Sequence, residues 1–244
     1  MKSTNINANG FKNTSNCVFC NLTSNYLAGS DPDMLWNQVL YETPEFVVVP
    51  SKGAMIEGWL LIISKRHYLS VGSMPYLVRK ELENLSEDLC HVLSNLYCRP
   101  SIFEHGPSLV GSYVGCGIDH AHLHVVPINF DLTLAIESLS AQHRLNWNCN
   151  VGKTYEKLSL ASSSKKPYLY YCDWLGNSQY CTSENIPSQF FRKAIASHIG
   201  APNIYDYKKF TFERNVYNTI ASLQSSIEGC SGKASVNTRI SHGI

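Results

Sequence analysis

Short apolar blocks separated by turn residues fill the first half of the chain. Residues 38–43 and 45–50 predict two strands around a turn, the second built on Phe46, Val47, Val48 and Val49, whose branched and aromatic side chains suit a pleated surface. Residues 59–64 predict a third strand, entered through Gly58 and ended by Lys65, Arg66 and His67. The period then changes. Leu82, Leu85, Leu89, Val92, Leu93 and Leu96 recur at spacings of three and four, which predicts an amphipathic helix that opens near Pro75 and closes before Pro100. Residues 101–104 predict a short strand and 106–117 a glycine-rich loop; a further strand follows and is stopped by Pro127. Beyond residue 130 the signals weaken, with a strand at 168–173 and a helix at 187–199 that turns Phe190, Phe191, Ala194 and Ile195 inward and ends at Gly200. Strands, one long helix and strands again predict an α+β fold: an antiparallel sheet meander with the helix packed on it, plus a C-terminal α/β extension. We expect a disordered lead-in at 1–15, a catalytic domain at 16–130, an extension packing on it at 131–225 and a flexible tail at 226–244.

Length and composition narrow the function only slightly. A chain of 244 residues can bury a full core, and its net charge of +1 leaves no electrostatic footprint for nucleic acid. No stretch approaches the roughly 18 apolar residues of a membrane span, so no membrane partner is expected. Nine cysteines, an odd number, with no apolar leader segment near the N-terminus, argue against a disulfide framework and for a reducing, cytoplasmic setting. Cys90, Cys98, Cys149, Cys172 and Cys181 read as small buried hydrophobes.

The chemistry concentrates in Asp119-His120-Ala121-His122-Leu123-His124-Val125-Val126. A strand has a side-chain period of two, so His120, His122 and His124 would project from one face while Ala121, Leu123 and Val125 enter the core. Three imidazoles in register are hard to explain as packing, since each carries lone pairs and titrates near neutrality. Cys17-Val18-Phe19-Cys20 is a lone Cys-x-x-Cys, compatible with a metal or with two incidental thiols. Cys116 lies four residues before His120 and is a competing ligand or a buried thiol.

The His-x-His-x-His run followed by two apolar residues resembles the signature of the histidine triad (HIT) superfamily. Residues 58–67, Gly-Trp-Leu-Leu-Ile-Ile-Ser-Lys-Arg-His, resemble the strand that precedes it in that family, and Tyr41-Glu42 with Phe46-Val47-Val48 resemble its opening hairpin. The likeness spans residues 17–130 in the family's order. It implies a HIT-like fold and a nucleotide or dinucleotide substrate. His122 would attack the α-phosphorus as nucleophile, His124 would donate to a phosphate oxygen, and His120 would orient the array. The zinc-containing branch further implies a structural Zn2+ held by Cys17, Cys20, His67 and His120, four N/S ligands with no position left for water.

Departures from the pattern shape the expected substrate. Gly115-Cys116-Gly117-Ile118 stands where nucleotide-hydrolysing members carry Gly-Gln-Ser-Val, so Gly117 replaces a serine that helps protonate the leaving group. A good leaving group is then expected, and a dinucleoside polyphosphate is the preferred class; otherwise another residue supplies the proton. Trp59 replaces a family histidine, and Ser51 falls near the acidic residue that grips the ribose. His105, where many members place a phosphate-contacting Asn-x-Gly, reads equally as a substrate contact or as a turn histidine. Residues 187–202 resemble, loosely, the extension of CWF19-type HIT-like proteins. Gln189 and Arg192 are three apart on the expected helix and would contact substrate there, although periodicity alone favours a solvated helix face.

Hydrolase and transferase or phosphorylase remain alternatives, with His124 in place of the uridylyltransferase glutamine tilting the reading to hydrolysis. The CWF19 likeness also allows a nucleotide- or RNA-associated binding protein with weak or no turnover, although basic residues cluster only in pairs such as Lys165-Lys166 and Lys208-Lys209. A domain in which all three histidines are structural is a third reading. A homodimer through the long helix stays open.

Overall fold

A computed structural model describes residues 5–6, 12–13, 17–25, 35–111, 114, 117–151 and 156–231. The fold is α+β. Its organising element is an eight-stranded sheet in which every neighbouring pair is antiparallel. In chain order, a separate two-residue pairing comes first, β1 (Asn5–Ile6) and β2 (Lys12–Asn13). The large sheet comprises β3 (Tyr41–Glu42), β4 (Phe46–Pro50), β5 (Leu60–Ser64), β6 (Ser101–Gly106), β7 (His122–Val126), β8 (Asn148–Val151), β9 (Tyr168–Cys172) and β10 (Asn177–Thr182). Their spatial order is β3-β4-β5-β7-β6-β9-β10-β8. The histidine strand β7 therefore lies inside the sheet, between β5 and β6. The strands after residue 130 lengthen that same sheet through the β6–β9 pairing.

Side-chain alternation sorts the strands into two faces. Val48, Ile62 and Leu123 lie in one lateral row and pack with Leu60 and Val125 against α2 (Tyr76–Leu96), which contributes Val78, Leu82, Leu85, Leu89 and Leu93. Val92 stays largely exposed, one position off the expected stripe. The opposite face has two covers. α1 (Val18–Asn25) lays Phe19 and Leu22 on Val47, Val49, Leu61 and Ile63. α3 (Thr133–His143) and α5 (Phe190–His198) cover Phe103, Leu169 and Tyr171 with Ile136, Phe190, Phe191, Ala194 and Ile195. Between these covers the histidines open to a cavity.

Several elements differ from the sequence expectation. α1, α3, β8, α4 (Glu156–Ser163), β10 and α6 (Glu213–Ser231) carry too few apolar positions, or too short a run, to announce themselves. β6 continues two residues past Glu104, because β9 supplies a partner as far as Gly106. α6 takes in the first residues of the expected tail, and 232–244 lie outside the described residues. The expected lead-in also lies mostly outside them, as does Cys116. Among the cysteines read as buried, Cys149 is exposed and Cys90 and Cys98 are only half-buried. No described helix is long and apolar enough to cross a membrane.

Candidate functional site

Two strands and one helix build the first part of the site. His120 sits just ahead of β7, at the bend where Ala121 donates its N–H to the Tyr68 carbonyl at 2.7 Å. His67 lies just beyond β5, which pairs with β7, so the two imidazoles meet with ring centroids 5.0 Å apart. α1 brings Cys17 and Cys20 onto them: Cys17 Sγ is 3.3 Å from His120 Nδ1, and Cys20 Sγ is 3.2 Å from His67 Nδ1 and 3.5 Å from His120 Nδ1. All four donor atoms fall within 4.8 Å of one another. The three nitrogen–sulfur separations are close to the edges, about 3.5 Å, of a tetrahedron with metal–sulfur bonds of about 2.3 Å and metal–nitrogen bonds of about 2.0 Å.

The tautomers agree with that arrangement. Nε2 of His120 donates to the Ser64 carbonyl at 2.7 Å, which fixes the proton there and turns the Nδ1 lone pair to the cluster, the usual support for a ligating histidine. The hydrogen bond with Cys20, followed by those with His120 and His67, outweighs burial and drops the Cys17 thiol to about 2, leaving a thiolate. The set fits a soft divalent ion such as Zn2+. Held by four side chains, the ion would tie α1 to the sheet and take no part in substrate chemistry.

His122 and His124 follow on the same face. His122 donates from Nδ1 to the His120 carbonyl at 2.7 Å, so its Nε2 carries the lone pair. Burial, against the support of that hydrogen bond, lowers its pKa to about 4 and keeps the ring neutral near pH 7. The edge of Phe19 meets the His122 ring at 5.1 Å between centroids. His124 has the opposite tautomer. Trp59 Nε1 donates to its Nδ1 at 3.0 Å, leaving the proton on Nε2, a buried atom with no hydrogen-bond partner among the described residues. Burial, then the proximity of His122 and the Arg192 guanidinium, holds its pKa well below the ordinary value. Adjacent rings therefore present one bare lone pair and one N–H donor.

Both rings line a cavity of about 470 Å³. Its other polar lining comes from Asn37, Ser51, Lys52, Arg192 and Lys208, with Phe19, Trp36 and Tyr207 as aromatic walls and Gly117 and Ile118 also on the lining. No carboxylate lines it among the described residues. The charged side chains on its described wall, Lys52, Arg192 and Lys208, are all cationic.

The remaining sequence candidates fall in different places. Arg192 is 4% exposed and does line the cavity, which corrects the solvated-face expectation. Its guanidinium donates to the Gly53 carbonyl at 2.5 Å, the Lys52 carbonyl at 2.7 Å and Ser51 Oγ at 2.9 Å, and stacks 4.4 Å over the Trp59 ring. It pins the β4–β5 turn as well as charging the cavity. Gln189 is also buried but lies off the cavity wall. It takes a left-handed conformation with φ 58°, donates to Asp206 at 3.2 Å and accepts from the Tyr207 N–H at 3.4 Å, bracing the turn that carries Tyr207 and Lys208. His105 is neither a turn residue nor a cavity residue. It lies on β6 at 2% exposure, against Phe103 and Phe191, with its pKa lowered to about 3 by burial, then by His122 and Arg192.

Gly117 lies on the cavity edge with φ +81°. Lys52, Trp36, Tyr207 and Lys208 also line the cavity, and no sequence pattern marks them beyond the basic pair Lys208-Lys209. Gly53 explains how the extension reaches the turn. Its φ is +71°, and a Cβ there would lie 2.5 Å from Tyr207 Cβ.

No model of a known protein family matches the chain, and no curated protein matches it. Solved structures overlap it in part. A hypothetical histidine triad nucleotide-binding protein from Sulfolobus tokodaii is 19% identical with a TM-score of 0.36, over 47% of this chain and 71% of its own. A HIT family hydrolase from Clostridium thermocellum is 17% identical at 0.36, over 49% and 96%. A uridylyltransferase is 10% identical at 0.38, over 76% and 88%. Overlaps this limited bear on neither activity nor substrate.

Proposed function

We propose that the chain is a nucleotide hydrolase or nucleotidyl transferase working through a covalent nucleotidyl-histidine. The observation that carries this is the His122 Nδ1–H bond to the His120 carbonyl, which leaves the Nε2 lone pair in a cavity whose charged lining, among the described residues, is cationic. Nε2 attacks the α-phosphorus, the N–P bond forms, and the P–O bond to the leaving group breaks with its electron pair on the departing oxygen. The Nε2 proton of His124 binds a non-bridging phosphate oxygen, as a donor fixed in place before charge develops there. In the second step water attacks phosphorus, the N–P electron pair returns to His122, and the water's proton passes to solvent. A transferase would replace water with another acceptor.

A dinucleoside polyphosphate is the substrate class that this lining supports. Lys52, Arg192 and Lys208 match several phosphates, and Trp36 and Tyr207 offer faces for a base. In this reading residues 16–130 hold the chemistry, with Zn2+ on Cys17, Cys20, His67 and His120, and the extension supplies one wall of the cavity. His105 and Gln189 support that wall and do not touch substrate. The test is turnover of a panel of adenine and guanine dinucleotides and nucleotidyl esters by wild type and His122→Ala. Turnover by wild type alone supports the proposal. Salt-sensitive RNA binding without turnover would favour a binding protein instead.

A further inference from the structure

The group that departs from phosphorus needs a partner, and beside the two histidines the described wall offers Asn37, Ser51, Lys52, Arg192 and Lys208. His122 holds no proton on Nε2, and the single Nε2 proton of His124 is engaged with a non-bridging oxygen in the mechanism above. Arg192 spends three hydrogen bonds on residues 51–53. The Lys52 ammonium lies 4.6 Å over the Trp36 ring, whereas that of Lys208 stands further from its own aromatic neighbour, 5.9 Å from the Tyr207 ring. Gly117 has no side chain, yet the space beside it is not empty: Lys208 Nζ stands 3.5 Å from where a Cβ at residue 117 would be.

We propose that Lys208, delivered by the C-terminal extension, is the catalytic residue that stabilises the leaving group in place of a side chain at residue 117. The inference rests on His122 being the nucleophile. Its placement is built. The Lys208 N–H bonds to Asp206 Oδ1 at 3.1 Å, and the same carboxylate oxygen accepts from Gln189, whose amide also holds the Tyr207 N–H. Gly53 backs directly on Tyr207. The turn is thereby fixed against the β4–β5 turn, and Lys208 lines the same cavity as His122 and His124. As the P–O bond breaks, the electron pair on the leaving oxygen accepts a hydrogen bond from Nζ. The ammonium keeps its proton and neutralises the developing charge, the role that preorganised donors play in such sites.

The test compares wild type, Lys208→Ala and Lys208→Arg on nucleoside monophosphate aryl esters whose leaving phenols range from acidic (p-nitrophenol) to weakly acidic (phenol). The Lys208 side chain projects from an exposed turn, so thermal melting should not change. We expect Lys208→Ala to lose on the order of a hundredfold in kcat on the phenyl ester and roughly tenfold less than that on the p-nitrophenyl ester, and Lys208→Arg to recover part of the loss. Equal losses on both esters, or none on either, would overturn the role while leaving His122 as nucleophile. Absence of turnover by wild type on every ester would remove the nucleophile reading, and the inference with it.

Discussion

The indole N–H of Trp59 donates to Nδ1 of His124 over 3.0 Å, and this single bond decides which nitrogen of His124 faces the cavity. Trp59 is wholly buried, at the turn that leads into β5, with Arg192 stacked on its ring. With Nδ1 occupied as an acceptor, the imidazole proton must sit on Nε2, where it can meet a phosphate oxygen.

Trp59→Phe keeps much of the ring volume and removes the donor. A buried acceptor is then left without its hydrogen bond, and His124 can place its proton on either nitrogen. We expect kcat to fall roughly a hundredfold with a stability loss of about 1–3 kcal/mol. Nitrogen NMR of His124 reads the tautomer directly: an unprotonated, hydrogen-bonded Nδ1 in wild type, a mixture of tautomers in the variant.

Gly53→Ala tests whether the extension seats on the β4–β5 turn. The backbone there has φ +71° and the added methyl would meet Tyr207. The strain and the overlap together should cost roughly 2–4 kcal/mol, measurable by denaturant unfolding. A change in KM should accompany it as Tyr207 and Lys208 shift.

Glu104 offers a pH signature away from the nucleophile. It is buried, accepts from the Val71 N–H at 2.7 Å and from the Tyr168 hydroxyl at 2.6 Å, and desolvation raises its pKa from 4.5 to about 7 despite those bonds. Between these two values the folded state binds more protons than the unfolded one. Its contribution to stability is therefore complete below pH 4.5 and lost as pH climbs through about 7, a change on the order of 3 kcal/mol. Glu104→Gln should flatten that slope in unfolding free energy measured from pH 5 to 8. An unchanged slope would assign the pH dependence elsewhere.

The sequence made some of this architecture visible and hid the rest for physical reasons. Alternation in β7 correctly sent Ala121, Leu123 and Val125 to the core and the histidines to the other face, because a strand allows only that division. The long helix was equally plain in its leucine spacing. Arg192 and Gln189 misled because helical periodicity reports which residues share a face, not whether another element covers that face; here the β4–β5 turn and the 206–208 turn do. His105 was ambiguous because its partner strand, β9, lies more than sixty residues later, pairing His105 with Leu169. Lys52, Tyr207 and Lys208 converge only after the chain has folded, and no local pattern marks them.

The metal cluster predicts one equivalent of zinc in wild type and none in a Cys17→Ser/Cys20→Ser protein, measured by elemental analysis. Loss of the metal should also release α1, whose Phe19 edge contacts both His120 and His122, so activity should drop with it. Stoichiometric zinc in the double variant would refute the ligand set.

The central claim is that Nε2 of His122 becomes covalently nucleotidylated. Acid-sensitive adducts of this kind survive alkaline quenching, so rapid mixing with a dinucleoside polyphosphate followed by intact-protein mass spectrometry can capture them. The account predicts a mass increase of one nucleotidyl group, mapped to His122 and missing from His122→Ala. Turnover by wild type with the adduct never appearing on His122, or undiminished turnover by His122→Ala, would contradict it.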